Sequence, residues 1–137
     1  MITLVFGVSA TPTAVVAGQS SGGVSYPEKL AHVMSYIAKL QKGQPDAVKA
    51  FFELHHAAVK PGTLDTKVKE LIAVAIAVAV RCDECIASHT GGALKAGATD
   101  AEIMEALSVS ILMGGGPAIV YAAHVVEAME QFKKAEK

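Results

Sequence analysis

The chain has no tryptophan, few aromatic residues of any kind and no excess of charge of either sign. Twelve basic side chains stand against 13 acidic ones, so no net field draws it to nucleic acid or to an anionic membrane surface. So few aromatic rings also leave no platform on which single-stranded bases could stack. Cysteine occurs only at Cys82 and Cys85. A small secreted scaffold stapled by disulfides needs several spaced pairs. A lone close pair points instead to redox chemistry or to a metal. Long hydrophobic runs are missing too: the longest, Leu71 to Val80, spans 10 residues, too short for a bilayer and suited to a buried helix. No stretch alternates with period 2 between hairpin turn signals, and no internal repeat of solenoid length is visible.

Apolar residues, by contrast, are abundant. They make up 52% of a 137-residue chain, whose length fits one domain. A small domain cannot hide that much, so part of it is expected to lie in contacts between subunits. Residues 1–24 differ from the rest in carrying no Lys, Arg, Asp or Glu. Met1 to Ala10 is apolar, and Val15-Val16-Ala17 resembles a small-residue cleavage site, so a secretory signal is one reading. The missing basic n-region and the interruption at Pro12 oppose it. A tail dispensable for fold and chemistry, or a start assigned too early, are the alternatives, and the chain is expected to be cytoplasmic. The folded domain is expected over residues 25–137.

From Ser25 onward the chain divides into helices. Ser25-Tyr26-Pro27-Glu28 is a capping-box pattern with Pro in the first turn, and Gly43 closes that helix. Pro45 opens a second helix, which Pro61-Gly62 ends. A third is predicted from about Asp65 to Arg81, and a fourth from near Cys82–Cys85 to Gly97. Thr99-Asp100-Ala101-Glu102 caps a fifth; Gly114-Gly115-Gly116 breaks it, and Pro117 opens the last. The predicted fold is all-α, with about six helices. Gly91-Gly92 falls inside the fourth helix, at a cost of roughly 1 kcal/mol per residue relative to Ala, so close packing against another helix or a kink is expected there.

The chemistry concentrates in Glu70, then Cys82-Asp83-Glu84-Cys85, then His89. Cysteines at i and i+3 of a helix start can close a small disulfide ring with little backbone movement, and the free N–H groups and dipole there favour a thiolate. His89 lies one turn beyond Cys85 on the same face. An imidazole so placed can take the Cys85 proton, making Cys85 the attacking thiol and Cys82 the resolving one. Zinc is the competing reading, with Cys82, Cys85 and His89 as ligands and His55 or His56 as a fourth. Glu70 is not placed by spacing: along a straight helix it would stand roughly 18 Å from Cys82, so only a chain reversal, a bend or a second subunit could bring it in. Asp83 and Glu84 read as solvated helix-start residues, and His32, His55, His56 and His124 as surface or hydrogen-bonded histidines.

The stretch Leu64-Asp65-Thr66-Lys67-Val68-Lys69-Glu70-Leu71-Ile72-Ala73, with Arg81-Cys82-x-x-Cys85-Ile86-x-x-His89 after it, resembles the alkyl hydroperoxidase D branch of the carboxymuconolactone decarboxylase superfamily. So do Ala93 to Thr99, Glu102-Ile103, Glu105-Ala106-Leu107 and Met113 to Pro117. The resemblance covers about residues 60–130. It implies an all-α fold assembled into trimers or hexamers. It implies a disulfide-cycling thiol pair that reduces peroxides or a partner disulfide, with no bound cofactor and with electrons from an external dithiol. It also implies a proton relay in which Glu70 and His89 assist the cysteines. The best-known members carry a histidine directly before the second cysteine, where this chain has Glu84. A carboxylate there opposes thiolate formation, which favours thiol–disulfide exchange over strong peroxidase activity. The rivals are a non-redox decarboxylase-like enzyme of the superfamily and a zinc-stabilised, non-enzymatic assembly module.

Overall fold

The computed structural model describes Gly23 and residues 25–137; the signal, tail and misassigned-start readings concern residues outside that range. Five helices follow one another: α1 Tyr26–Gly43, α2 Pro45–Val59, α3 Thr66–Val80, α4 Asp83–Lys95 and α5 Asp100–Ala135. No strand occurs among the described residues. The capping boxes form as the sequence predicts. Ser25 accepts from the Glu28 N–H while Glu28 returns a bond to the Ser25 N–H, and Thr99 and Glu102 do the same at the start of α5. Asp65 caps α3 by accepting from the Val68 N–H at 2.8 Å.

The predicted fifth and sixth helices run together as α5, but Gly115 inside it has φ 63° and ψ −150°. That region is open essentially to glycine alone, so the helical axis breaks there and Pro117 follows in the next turn. The break matters for α5 as a whole. Helix Asp100–Ala135 is long and apolar enough to cross a membrane by length and composition. Yet both of its halves deliver residues to the protein core, Ile103 and Leu107 before the break and Val125, Ala128 and Met129 after it.

Helices α3, α4 and α5 pack most closely on one another, and α1 and α2 flank α4 and α3. The centre is Val74 and Val78 of α3, Ile86 of α4, and Ile103 and Val125 of α5, all with no solvent exposure. Each such side chain contributes roughly 1.5–3 kcal/mol by leaving water. The reversal between α3 and α4 is abrupt. Arg81 adopts the left-handed conformation at φ 60°, ψ 46°, and the Cys82 N–H reaches back to the Ala77 carbonyl at 3.1 Å. A non-glycine residue is uncommon there, and it stands immediately before the first cysteine.

An ion pair ties the start of α5 to α3: Lys67 Nζ lies 2.6 Å from Glu102 Oε1. The Lys67 bond, reinforced by the Thr99 N–H and hydroxyl, lowers the Glu102 carboxyl from 4.5 to about 2. A depressed carboxyl stabilises the fold above its unfolded value, and that contribution is lost as pH falls through the folded value. Wild type is therefore expected to lose thermal midpoint between about pH 4.5 and 2. Glu102→Gln should flatten that decline while keeping the capping geometry. Parallel melting curves for the two proteins across this window would show Glu102 to be irrelevant.

Candidate functional site

Cys82 and Cys85 are joined in a disulfide, with Cα atoms 5.2 Å apart. Cys82 is the N-cap of α4, and its sulfur accepts from the Cys85 N–H at 3.2 Å. One amide of the helix start thus points at the Cys82 sulfur, a contact that favours negative charge on that atom once the bond is reduced. In the disulfide neither sulfur is a thiolate, so the four-ligand zinc set of Cys82, Cys85, His89 and a second histidine is not assembled in this state.

The sharp turn at Arg81 answers the question of Glu70. Helix α4 runs back along α3, so a residue near the start of α3 meets one two turns into α4. Glu70 is buried, and its Oε2 lies 2.8 Å from Nδ1 of His89. A carboxylate can only accept, so Nδ1 carries the proton and Nε2 is the free nitrogen of the ring. Glu70 thus bears directly on His89. The glycine pair makes the approach possible. A Cβ on Gly92 would come within 2.8 Å of the Glu70 carboxyl carbon, and one on Gly91 within 3.2 Å of the Phe132 ring. Of the two expectations for Gly91-Gly92, close packing is the one found.

Cys85 and His89 line one wall of an apolar cavity of about 390 Å³, with Ser88 between them. Leu30, Val33 and Ile37 of α1 and Phe51, Phe52 and His55 of α2 also line it, as does the exposed Glu84. Cys82 does not line this cavity. His55, expected to be a surface or hydrogen-bonded histidine or a fourth zinc ligand, is half-buried with its ring stacked on His89, the centroids 5.8 Å apart and 29° from coplanar. His55, Glu70 and His89 each offer a donor atom within 4.8 Å of the others, a set that could hold a divalent ion.

Asp83 also departs from expectation. It is not a freely solvated residue but the centre of a polar cluster, half-buried between the two cysteines. His124 Nδ1 lies 2.8 Å from its Oδ1, Lys29 Nζ 3.4 Å from its Oδ2, and the Tyr26 hydroxyl donates to it at 3.4 Å. Burial by itself would raise the Asp83 carboxyl, but the His124 hydrogen bond and the Lys29 charge outweigh it and hold the carboxyl below its ordinary value. Burial, then the Asp83 charge, push the Tyr26 phenol well above its usual range. The cluster pins the first turn of α4 to α1 and α5. His124 is hydrogen-bonded, one of the two states expected of it.

The fold and site define an all-helical protein with a Cys-x-x-Cys disulfide at a helix start and, on the same helix, a half-buried histidine bonded to a buried glutamate. The chain belongs to the carboxymuconolactone decarboxylase family, whose model matches residues 45–128. It is 42% identical over 95 residues to an uncharacterized protein of Cupriavidus necator, covering 69% of this chain and 84% of that one. Among solved structures it is similar to the apo form of a carboxymuconolactone decarboxylase family protein from Legionella pneumophila. That match has a TM-score of 0.76 and 41% identity, over 78% of this chain and 96% of the other. A second, from Thermotoga maritima, has a TM-score of 0.62 and 37% identity, over 66% and 93% of the two chains. That protein's description raises a part in the antioxidative response.

Proposed function

We propose that this protein is a thiol–disulfide oxidoreductase of the alkyl hydroperoxidase D type, with peroxidase activity. The observation that carries the reading is the placement of Cys85 on the cavity wall. It is covalently paired with Cys82 and shares that wall with a histidine held by the buried Glu70. In the reduced protein, His89 takes the Cys85 proton, and the thiolate attacks a peroxide or a disulfide in the cavity. A sulfenic acid or a mixed disulfide results, and the Cys82 thiol displaces water or a thiol from it, forming the Cys82–Cys85 bond. An external dithiol then returns the two electrons. The cycle requires no bound metal or cofactor. The antioxidative role raised for the Thermotoga relative agrees with it.

The test is mass spectrometry of reduced protein treated with one equivalent of alkyl hydroperoxide or of a small disulfide. Each is expected to yield monomer lighter by two hydrogens, in wild type only. Oxidation giving only cross-linked chains would sink the cycle, as would inertness to both oxidants. A decarboxylase-like activity indifferent to cysteine alkylation would favour the non-redox rival.

Oligomerisation is part of the same reading. Ile72, Ile76 and Val80 leave one face of α3 exposed and apolar, and Leu112 and Met113, both 80% exposed, add to Ile119 and Val120 on α5. So much exposed apolar surface favours an interface between subunits, and a trimer or hexamer is expected. Sedimentation equilibrium returning only a 14.1 kDa species at micromolar concentration would contradict it. The domain is proposed to span residues 25–137, and removal of residues 1–24 is expected to leave the cycle intact.

A further inference from the structure

His55 has no part in the relay from Glu70 to Cys85, yet it is placed where the reaction would deliver its product. It comes from α2 and lines the same cavity as Cys85. Attack by a thiolate on an O–O or S–S bond is an in-line displacement. The departing oxygen or sulfur therefore moves away from Cys85 and from its helix, across the cavity. His89 follows Cys85 on that same helix, with its Nδ1 committed to Glu70, so it is well placed for the thiol proton and poorly placed for the leaving group. The groups around His55 are the stacked His89 ring, the Glu70 carboxylate beyond it, the His56 ring at 6.0 Å and the exposed Glu84 of the cavity lining.

We propose that His55 is the general acid of this site, protonating the group that leaves when Cys85 attacks. The inference rests on the thiol cycle above. With a hydroperoxide ROOH, the Cys85 sulfur forms a bond to the terminal oxygen as the O–O bond breaks, giving Cys85–SOH and RO⁻. Imidazolium His55 passes its proton to RO⁻, giving ROH. The Cys82 thiol then attacks the Cys85 sulfur and water leaves. The balance is two thiols and ROOH giving one disulfide, ROH and water. With a disulfide substrate, His55 protonates the departing thiolate.

General acid catalysis is worth most where the leaving group is most basic, and this sets the test. Reduced full-length wild type, His55→Phe and His55→Gln are assayed with tert-butyl hydroperoxide, which expels a strongly basic alkoxide, and with peracetic acid, which expels acetate. Both variants are expected to slow the alkyl hydroperoxide by about 10²-fold and the peracid by less than about threefold. The alkylation rate of Cys85 against pH, in a Cys82→Ser background, should be the same with and without His55, because His89 prepares the thiolate. Equal losses on the two oxidants would show a merely structural role and overturn the proposal, as would full activity in His55→Gln. Wild-type turnover abolished by a chelator would overturn it too, by showing that His55, Glu70 and His89 hold an ion. A wild type inert to both oxidants would instead bring down the thiol cycle itself, and this role with it.

Discussion

Cys85→Ser is expected to reduce oxidant consumption to the uncatalysed rate, while Cys82→Ser still reacts once and then stops. The asymmetry follows from position. Cys85 lines the cavity with His89 and Ser88, whereas Cys82 caps α4 outside the lining. A serine hydroxyl at 85 is not ionised by an imidazole to any useful extent, so the first step is lost. A serine at 82 leaves that step intact and removes the resolving thiol. The product then rests as a sulfenic acid or as a mixed disulfide with the oxidant. The measurement is oxidant consumed per protein in the presence of excess external dithiol, together with the mass of the trapped adduct. If Cys82→Ser is the inert variant and Cys85→Ser the one that forms an adduct, the assignment of attacking and resolving thiols is reversed.

Gly92→Ala is expected to lower turnover by about 10²-fold, the scale of a positioned acid–base group, while leaving the protein folded. The new Cβ would stand 2.8 Å from the Glu70 carboxyl carbon and equally close to Oε2, the atom bonded to His89. Ordinary contact needs several tenths of an ångström more, and Glu70 is buried, so the carboxylate has to leave its partner. Stability should change little. Alanine is favoured over glycine within a helix by up to about 1 kcal/mol, which offsets part of the strain. Glu70→Gln should show a matching loss, because it removes the charge that holds the His89 ring while preserving the shape. Turnover of Gly92→Ala is compared with its thermal midpoint. Wild-type activity in a well-folded Gly92→Ala would mean that the Glu70–His89 bond takes no part in the cycle.

Much of the architecture was legible because it is local. Ser25, Asp65 and Thr99 cap helices through side chains that reach only three residues along the chain. Gly115 breaks α5 through its own backbone conformation. The Cys82, Cys85 and His89 spacing was legible for the same reason, since residues three and four apart share a helix face. The turn at Arg81 was not, because nothing in a Val-Arg-Cys stretch signals a left-handed residue. Packing of Val78 and the bond from the Cys82 N–H to the Ala77 carbonyl hold it there. His55 could not be told from His56, because the two stand side by side in the same helical context. One ring faces the cavity and the other does not, a difference of rotation about α2 that depends on how α2 lies against α4.

The sequence by itself determined the all-helical class, the helix boundaries and the membership of Cys82, Cys85 and His89 in one local cluster. Each of these depends on contacts within about one helical turn, where residue type and spacing suffice. Only the tertiary structure decided that Glu70 touches His89 rather than solvent, that Asp83 is shared by α1 and α5, and that His55 stacks on His89 in the cavity that Cys85 lines. Glu70 and His89 lie 19 residues apart, Asp83 and His124 lie 41 apart, and Asp83 and Tyr26 lie 57 apart. Their meeting depends on the reversal at Arg81 and on glycines at 91 and 92 thin enough to let a carboxylate and a phenyl ring close on α4.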